Sequence, residues 1–157
     1  MEPITQSGIR LVKLRTGIVL SNKGGMLPSF KTPIRFGLAP ILGTGKQMVS
    51  WIHIIDIVEI YIYAIRHNHM QGVYNAVAPF PVANKTVAIT LARELKGRFF
   101  IPFHVPAFLL KWLFGEMSIE VLKSTTVNAG RIREAGFTFR YPGLEAAIKN
   151  LATDPDQ

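Results

Sequence analysis

Residues Gly43–Ile65 read GTGKQMVSWIHIIDIVEIYIYAI. Two glycines open the stretch as a loop, Val49 to Ile52 form a short apolar strand, and a long helix follows directly. On that helix His53, Asp56 and Glu59 recur every third residue, and nearly everything between them is Ile, Val, Tyr or Ala. So narrow a polar stripe calls for cover over most of the helix circumference, which predicts a helix packed on a sheet. Asp56 falls in the first turn, where the macrodipole favours a carboxylate by about 0.3–1 kcal/mol.

Working outward, Ile9–Leu20 (IRLVKLRTGIVL) holds β-branched residues and Leu with little alternation after Arg15, the pattern of a strand covered on both faces. Ser21–Gly25 is a turn, and Met26–Pro40 is broken by Pro28, Pro33 and Pro40, which predicts a loop holding a short helix. Beyond the organising helix, which frays at His67 to Met70, Gln71-Gly72 turns the chain into a strand over Val73–Val77. Asn84 or Thr86 is placed to cap a helix to about Leu95, with Gly97 ending it. Arg98–Ile101 reads as a short strand, Pro106–Phe114 as an amphipathic helix, and Glu116–Ser124 and Asn128–Ala135 as further helices. Phe137–Phe139 reads as an edge strand and Pro142 opens a last helix to about Leu151. Strand and helix alternate throughout, so the class is α/β.

The chain of 157 residues has 48% hydrophobic and 18% charged residues, which fits a globular domain with a real core and excludes disorder. Cysteine is absent, which removes disulfides and thiolate metal sites and suits a cytoplasmic protein. The start, MEPITQSGIR, lacks an apolar signal region, and the most apolar stretch, Phe99–Phe114, is interrupted and too short for a membrane span. A net charge of +8 invites a nucleic-acid reading, but the eighteen Lys and Arg are scattered with no basic run and no interleaved aromatics. Mean hydropathy of +0.24 suggests surfaces that expect a partner.

Catalytic motifs are scarce. The four histidines lack ligand spacing, so no metal site is expected. There is no Gly-x-Ser-x-Gly elbow. Gly43-Thr44-Gly45 precedes a strand instead of joining strand to helix, and Met48 stands where a dinucleotide fingerprint needs its third glycine. Lys46 is not followed by Ser or Thr, which removes a P-loop, and a tight turn is the better reading.

Five blocks in order carry more information: LRTGIVLS (14–21), GTGKQMVSWIHIIDIV (43–58), VYNAVAP (73–79), LFGEM (113–117) and EAGFTFRYPGLEAAI (134–148). Together they resemble the C-terminal half of the extended short-chain dehydrogenases/reductases, the NAD-dependent epimerase/dehydratase family. The resemblance is greatest to predicted nucleoside-diphosphate-sugar epimerases that end in a small domain of unknown function. It implies a partial Rossmann-like parallel sheet with covering helices, followed by a small α+β substrate-side region. Residues 1–100 would belong to the Rossmann/substrate domain, 101–152 to a small helical C-terminal domain, and 153–157 to a loose tail.

In that family the other half carries the Gly-rich dinucleotide loop and a Tyr-x-x-x-Lys pair; no tyrosine here is followed by lysine at that spacing. The resemblance therefore implies a fragment whose missing half would precede Met1: the substrate side of an NAD(P)-dependent oxidoreductase, inactive alone. NAD or NADP would belong to the full-length parent, with no tight binding by this chain. By the same resemblance Arg15, Thr16, Gly17 and Ile18 lie near nicotinamide and substrate, Gly45, Gln47 and Val49 border the substrate pocket, and His53 and Asp56 start a helix in a structural role. Catalytic residues are expected to be absent here. Ile18 and Val49 replace the family's usual asparagine and diphosphate-binding arginine, and Ile55 replaces an aspartate, which speaks against a nucleotide sugar as substrate. The alternative is a stand-alone interaction module using an exposed sheet edge and basic surface. Expected partners are a small-molecule substrate, the missing Rossmann half, and further copies of the chain through open strand edges, without membrane or nucleic acid.

Overall fold

A computed structural model describes residues 9–106, 108–109 and 124–154. The expected blocks LFGEM and most of the helices over 106–114 and 116–124 lie outside the described residues. Parallel strand pairs with covering helices form the frame, as an α/β class requires.

The first strand segment is divided. β1 (Val12–Thr16) pairs in parallel with β6 (Gly72–Ala76), whereas β2 (Ile18–Leu20) pairs in parallel with β5 (Trp51–His53). The expected strand over Val49–Ile52 is likewise two pieces: β4 (Met48–Val49) runs antiparallel to β7 (Val82–Ala83), and β5 begins after Ser50. A fourth pair joins β3 (Leu38–Leu42) to β8 (Ile101–Val105) in parallel. Helices α1 (Met26–Arg35), α2 (Ile54–Arg66), α3 (Asn84–Lys96), α4 (Gly130–Glu134) and α5 (Leu144–Thr153) are those among the described residues that have cap geometry. No described helix is long and apolar enough to cross a membrane.

Several expectations need correction. The short helix expected within 26–40 is α1, but it holds Pro28 and Pro33 inside it, and Pro40 lies in β3 instead of a loop. The ladder between β3 and β8 explains how. Gly43 N–H bonds Val105 O and Ile101 N–H bonds Gly37 O, so odd-numbered amides face the partner strand. Pro40 and Pro102 fall on the even positions, where a missing N–H costs no ladder bond. The even-numbered amide of Leu42 points away from β8 and finds the Asn84 side chain at 3.0 Å. Asn84 is thereby spent as a tertiary acceptor and does not cap α3 through its side chain.

The strand expected over Arg98–Ile101 instead occupies Ile101–Val105. Phe137–Phe139 is not a strand: Phe137 N–H bonds back to Ile132 O in α4, and the amides that follow, Arg140 and Tyr141, go to the Asp56 carboxylate. Nor is α2 covered around most of its circumference. Ile57, Ile60 and Ala64 are buried on one face, while Val58, Tyr61, Ile62 and Ile65 stand exposed on the other.

Two apolar clusters fill the interior. One gathers Leu20, Leu27, Phe30, Ile34, Ile41, Trp51, Leu91 and Ile148; the other gathers Ile52, Ile57, Ile60, Met70, Tyr74, Ile132 and Phe137. Consecutive residues Trp51 and Ile52 supply one side chain to each, as strand alternation requires, so β5 is buried from both faces.

Candidate substrate groove

The site lies where the first strand changes partner. Gly17 N–H still bonds β6 through Ala76 O at 3.3 Å, and the next amide, Ile18, bonds Ser50 O at 2.9 Å beside β5. A Cβ on Gly17 would overlap the Ser50 carbonyl and stand 2.8 Å from Val77 Cγ1, so glycine is needed for space. The two partner strands part at this point and leave a crevice beyond the carboxyl end of β1. Ligand sites in open α/β sheets form in crevices outside the carboxyl ends of the strands.

The groove there encloses about 660 Å³ and is lined by Arg15, Thr16, Gly17 and Ile18 from the strand, Met48–Ser50 from the facing segment, Asn75 and Val77, and residues 125–128. Its size is that of a small-molecule site. Ser50 holds the last wall in place. Its Oγ donates to Thr125 O at 2.7 Å and accepts from Val127 N–H at 2.9 Å. Asn75 Nδ2 donates to Asn128 O at 3.0 Å and ties the same wall to β6.

Of the residues the family resemblance singled out, Arg15, Thr16, Gly17, Ile18 and Val49 come together on this groove. Gly45 and Gln47 do not line it. Gly45 has φ +71 in a tight turn against Ile41 and Lys85, and buried Gln47 donates from Nε2 to Leu42 O at 2.9 Å. Both hold the loop that leads into β4. Ser50, Asn75 and the 125–128 wall were not singled out by sequence. The only available signal was the polar run Ser124-Thr125-Thr126, and nothing local ties it to a serine 75 residues away.

His53 and Asp56 sit behind the groove, fully buried. His53 is the N-cap of α2, its Nδ1 accepting from Ile55 N–H at 3.1 Å, and its ring stacks on Tyr141 with centroids 4.1 Å apart. Because Nδ1 is an acceptor, the neutral ring carries its proton on Nε2. Burial holds this imidazole down at about 4, partly offset by the Asn150 side chain and reinforced by the Arg140 charge. Asp56 accepts from Arg140 N–H at 2.7 Å and Tyr141 N–H at 3.1 Å. Its burial raises the carboxyl above its usual range; the two amides oppose the rise and Glu59 adds to it. Neither residue lines the groove. They lock the start of α2 to the chain ahead of α5.

Residues 105–151 match a family described as a domain of unknown function (DUF1731). An epimerase family protein of Staphylococcus aureus (strain MRSA252) is 35% identical over 148 residues, 93% of this chain and 48% of its own length. The epimerase family protein SDR39U1 of Mus musculus is 38% identical over 143 residues, 90% of this chain and 48% of its own.

This chain is similar to the C-terminal half of epimerase family proteins.

The crystal structure of human epimerase family protein SDR39U1 (isoform 2) with NADPH superposes with a TM-score of 0.86 at 35% identity, covering 94% of this chain and 50% of that one. The chain thus spans about half the length of the epimerase family relatives it matches, and its parallel strands and covering helices are the C-terminal part of their Rossmann-like fold.

Proposed function

We propose that this chain forms the substrate-side wall of an NAD(P)-dependent epimerase-like oxidoreductase and is not catalytic by itself. One observation carries the reading: Arg15 to Ile18, Val49 and Asn75 converge on one groove at the point where the strand passes from β6 to β5. It draws support from the epimerase-family relatives and from the human relative solved with NADPH.

The residues present fit one end of a dinucleotide. Thr16 and Asn75 bring polar groups to the groove, and Gly17 lets the strand turn between them against Ser50. The phosphates need a cradle of amides at a helix N-terminus behind a glycine-rich turn, and this sequence has no such fingerprint. When bound, the dinucleotide would supply the hydride chemistry. The residues of this chain would border the nicotinamide and hold the substrate against it.

The remaining half of the enzyme would then cover what this chain leaves open. Each strand among the described residues has one partner strand, and the stripe Val58, Tyr61, Ile62 and Ile65 gives α2 a second apolar face. Alone, the chain would associate with further copies of itself through the same surfaces.

The test joins this chain to the half of the human relative, solved with NADPH, that this chain does not match. NADPH fluorescence and oxidation across a panel of carbonyl compounds are then compared with those of the chain alone. The joined protein is expected to bind and oxidise NADPH and the isolated chain to do neither. Tight NADPH binding or turnover by the isolated chain would overturn the reading.

A further inference from the structure

We infer that the groove takes a substrate bearing a single carboxylate on an apolar body, with Arg15 as the specificity-determining cation. This rests on the groove being the substrate site. Among the described lining residues Arg15 is the one charged side chain, and no Asp or Glu accompanies it. Its guanidinium has no hydrogen bond or ion pair among the described residues. A cation left unpaired at the mouth of a groove presents five donors in a fork that matches a carboxylate.

The rest of the wall sorts by chemistry. Thr16 and Asn75 lie beside Arg15 near the ends of β1 and β6, while the half-buried Ile18, Met48 and Val127 give the groove its apolar surface. An anion seated at Arg15 places the remainder of its molecule along that surface. The charge count also limits the ligand. A diphosphate brings at least two negative charges to a wall with one cation among its described residues, and on this wall the second charge meets no cationic partner. A monocarboxylate therefore matches this wall better than a nucleotide diphosphate does.

The matched probes are 2-oxo-4-phenylbutanoate and the neutral ketone 4-phenylbutan-2-one, titrated into the full chain while amide resonances of Thr16, Ser50 and Val77 are followed. The acid is expected to bind about fivefold more tightly than the ketone, in keeping with one charge-assisted pair in a partly open site. Arg15→Met should remove that preference and Arg15→Lys should keep part of it. Arg15 is exposed, so both variants should keep the wild-type circular dichroism spectrum. Equal binding of acid and ketone, no perturbation by either, an acid preference that survives Arg15→Met, or displacement of the acid by uridine diphosphate glucose would each overturn the inference. NADPH oxidation by the joined protein separates the two levels. An Arg15-dependent acid preference without turnover keeps the ligand class and sinks the oxidoreductase reading. Turnover on neutral ketones that ignores Arg15 does the reverse.

Discussion

Gly17 lies against the carbonyl of Ser50 so closely that no side chain fits between them. The contact comes from the exchange of strand partners, because Gly17 and Ile18 send successive amides to different strands. Gly17 is not in the left-handed region, so space and not φ demands glycine. Gly17→Ala must push the Ser50 backbone and Val77 away, at about 1–3 kcal/mol for overpacking of this kind. Urea denaturation is expected to show the midpoint falling accordingly; an unchanged midpoint would mean that β2 and β5 can part freely.

Ser50→Ala removes the donor to Thr125 O and the acceptor for Val127 N–H together. Two backbone groups lose their partner, at roughly 1–3 kcal/mol for each that stays out of water. Amide hydrogen exchange at Val127 should accelerate well beyond that of β6. If the 125–128 wall kept its protection, the serine would not be what holds it.

The buried imidazole of His53 sets a pH dependence. Its value of about 4 lies below the 6.5 of a free side chain, so the unfolded chain takes up the proton first on acidification. Its contribution is complete above pH 6.5 and is lost as the pH falls towards 4, on the order of 3 kcal/mol over that window. His53→Asn retains a capping side chain and should flatten the stability profile between those values. A profile as steep as wild type would exclude His53 as the source.

Asp56 works with the opposite sign. Its carboxyl is raised by burial, so its contribution to stability grows as the pH falls towards the unfolded value and fades as the pH rises through the folded one. Asp56→Asn supplies one acceptor for the two amides of Arg140 and Tyr141 and sets an NH₂ against the other. The cost is about 1–3 kcal/mol at neutral pH. Because the variant cannot titrate, its deficit should widen on acidification; a deficit that narrows would contradict the assigned direction.

The exposed apolar stripe of α2 bears on assembly. Ile65 is 72% exposed and Ile62 42% exposed, one turn apart on the same face as Val58 and Tyr61. The chain alone should show concentration-dependent association by light scattering, and Ile62→Lys with Ile65→Lys should suppress it without lowering thermal stability. A wild-type monomer at high concentration would remove the stripe as an interface.

The strand–helix unit at Gly43–Ile65 and the pairing of the first strand beside it were legible because hydrophobic period and glycine placement are local properties. Motif order likewise pointed to Arg15–Ile18 and Val49. The ladder side on which Pro40 and Pro102 fall was not legible, because that depends on which neighbour a strand acquires. Phe137–Phe139 has the composition of a strand, but its first amide bonds Ile132 O and the chain just beyond it is tied to a carboxylate 84 residues away.

What the sequence by itself determined is the α/β class, the helix started by His53 and Asp56, and the absence of a Gly-rich dinucleotide loop and a Tyr-x-x-x-Lys pair. Only the tertiary structure decided where the groove opens and what closes it. Ser50 and Asn75 meet the 125–128 wall through hydrogen bonds across long stretches of chain. No local pattern encodes such contacts, because they form only after the packed strands have fixed both ends in space.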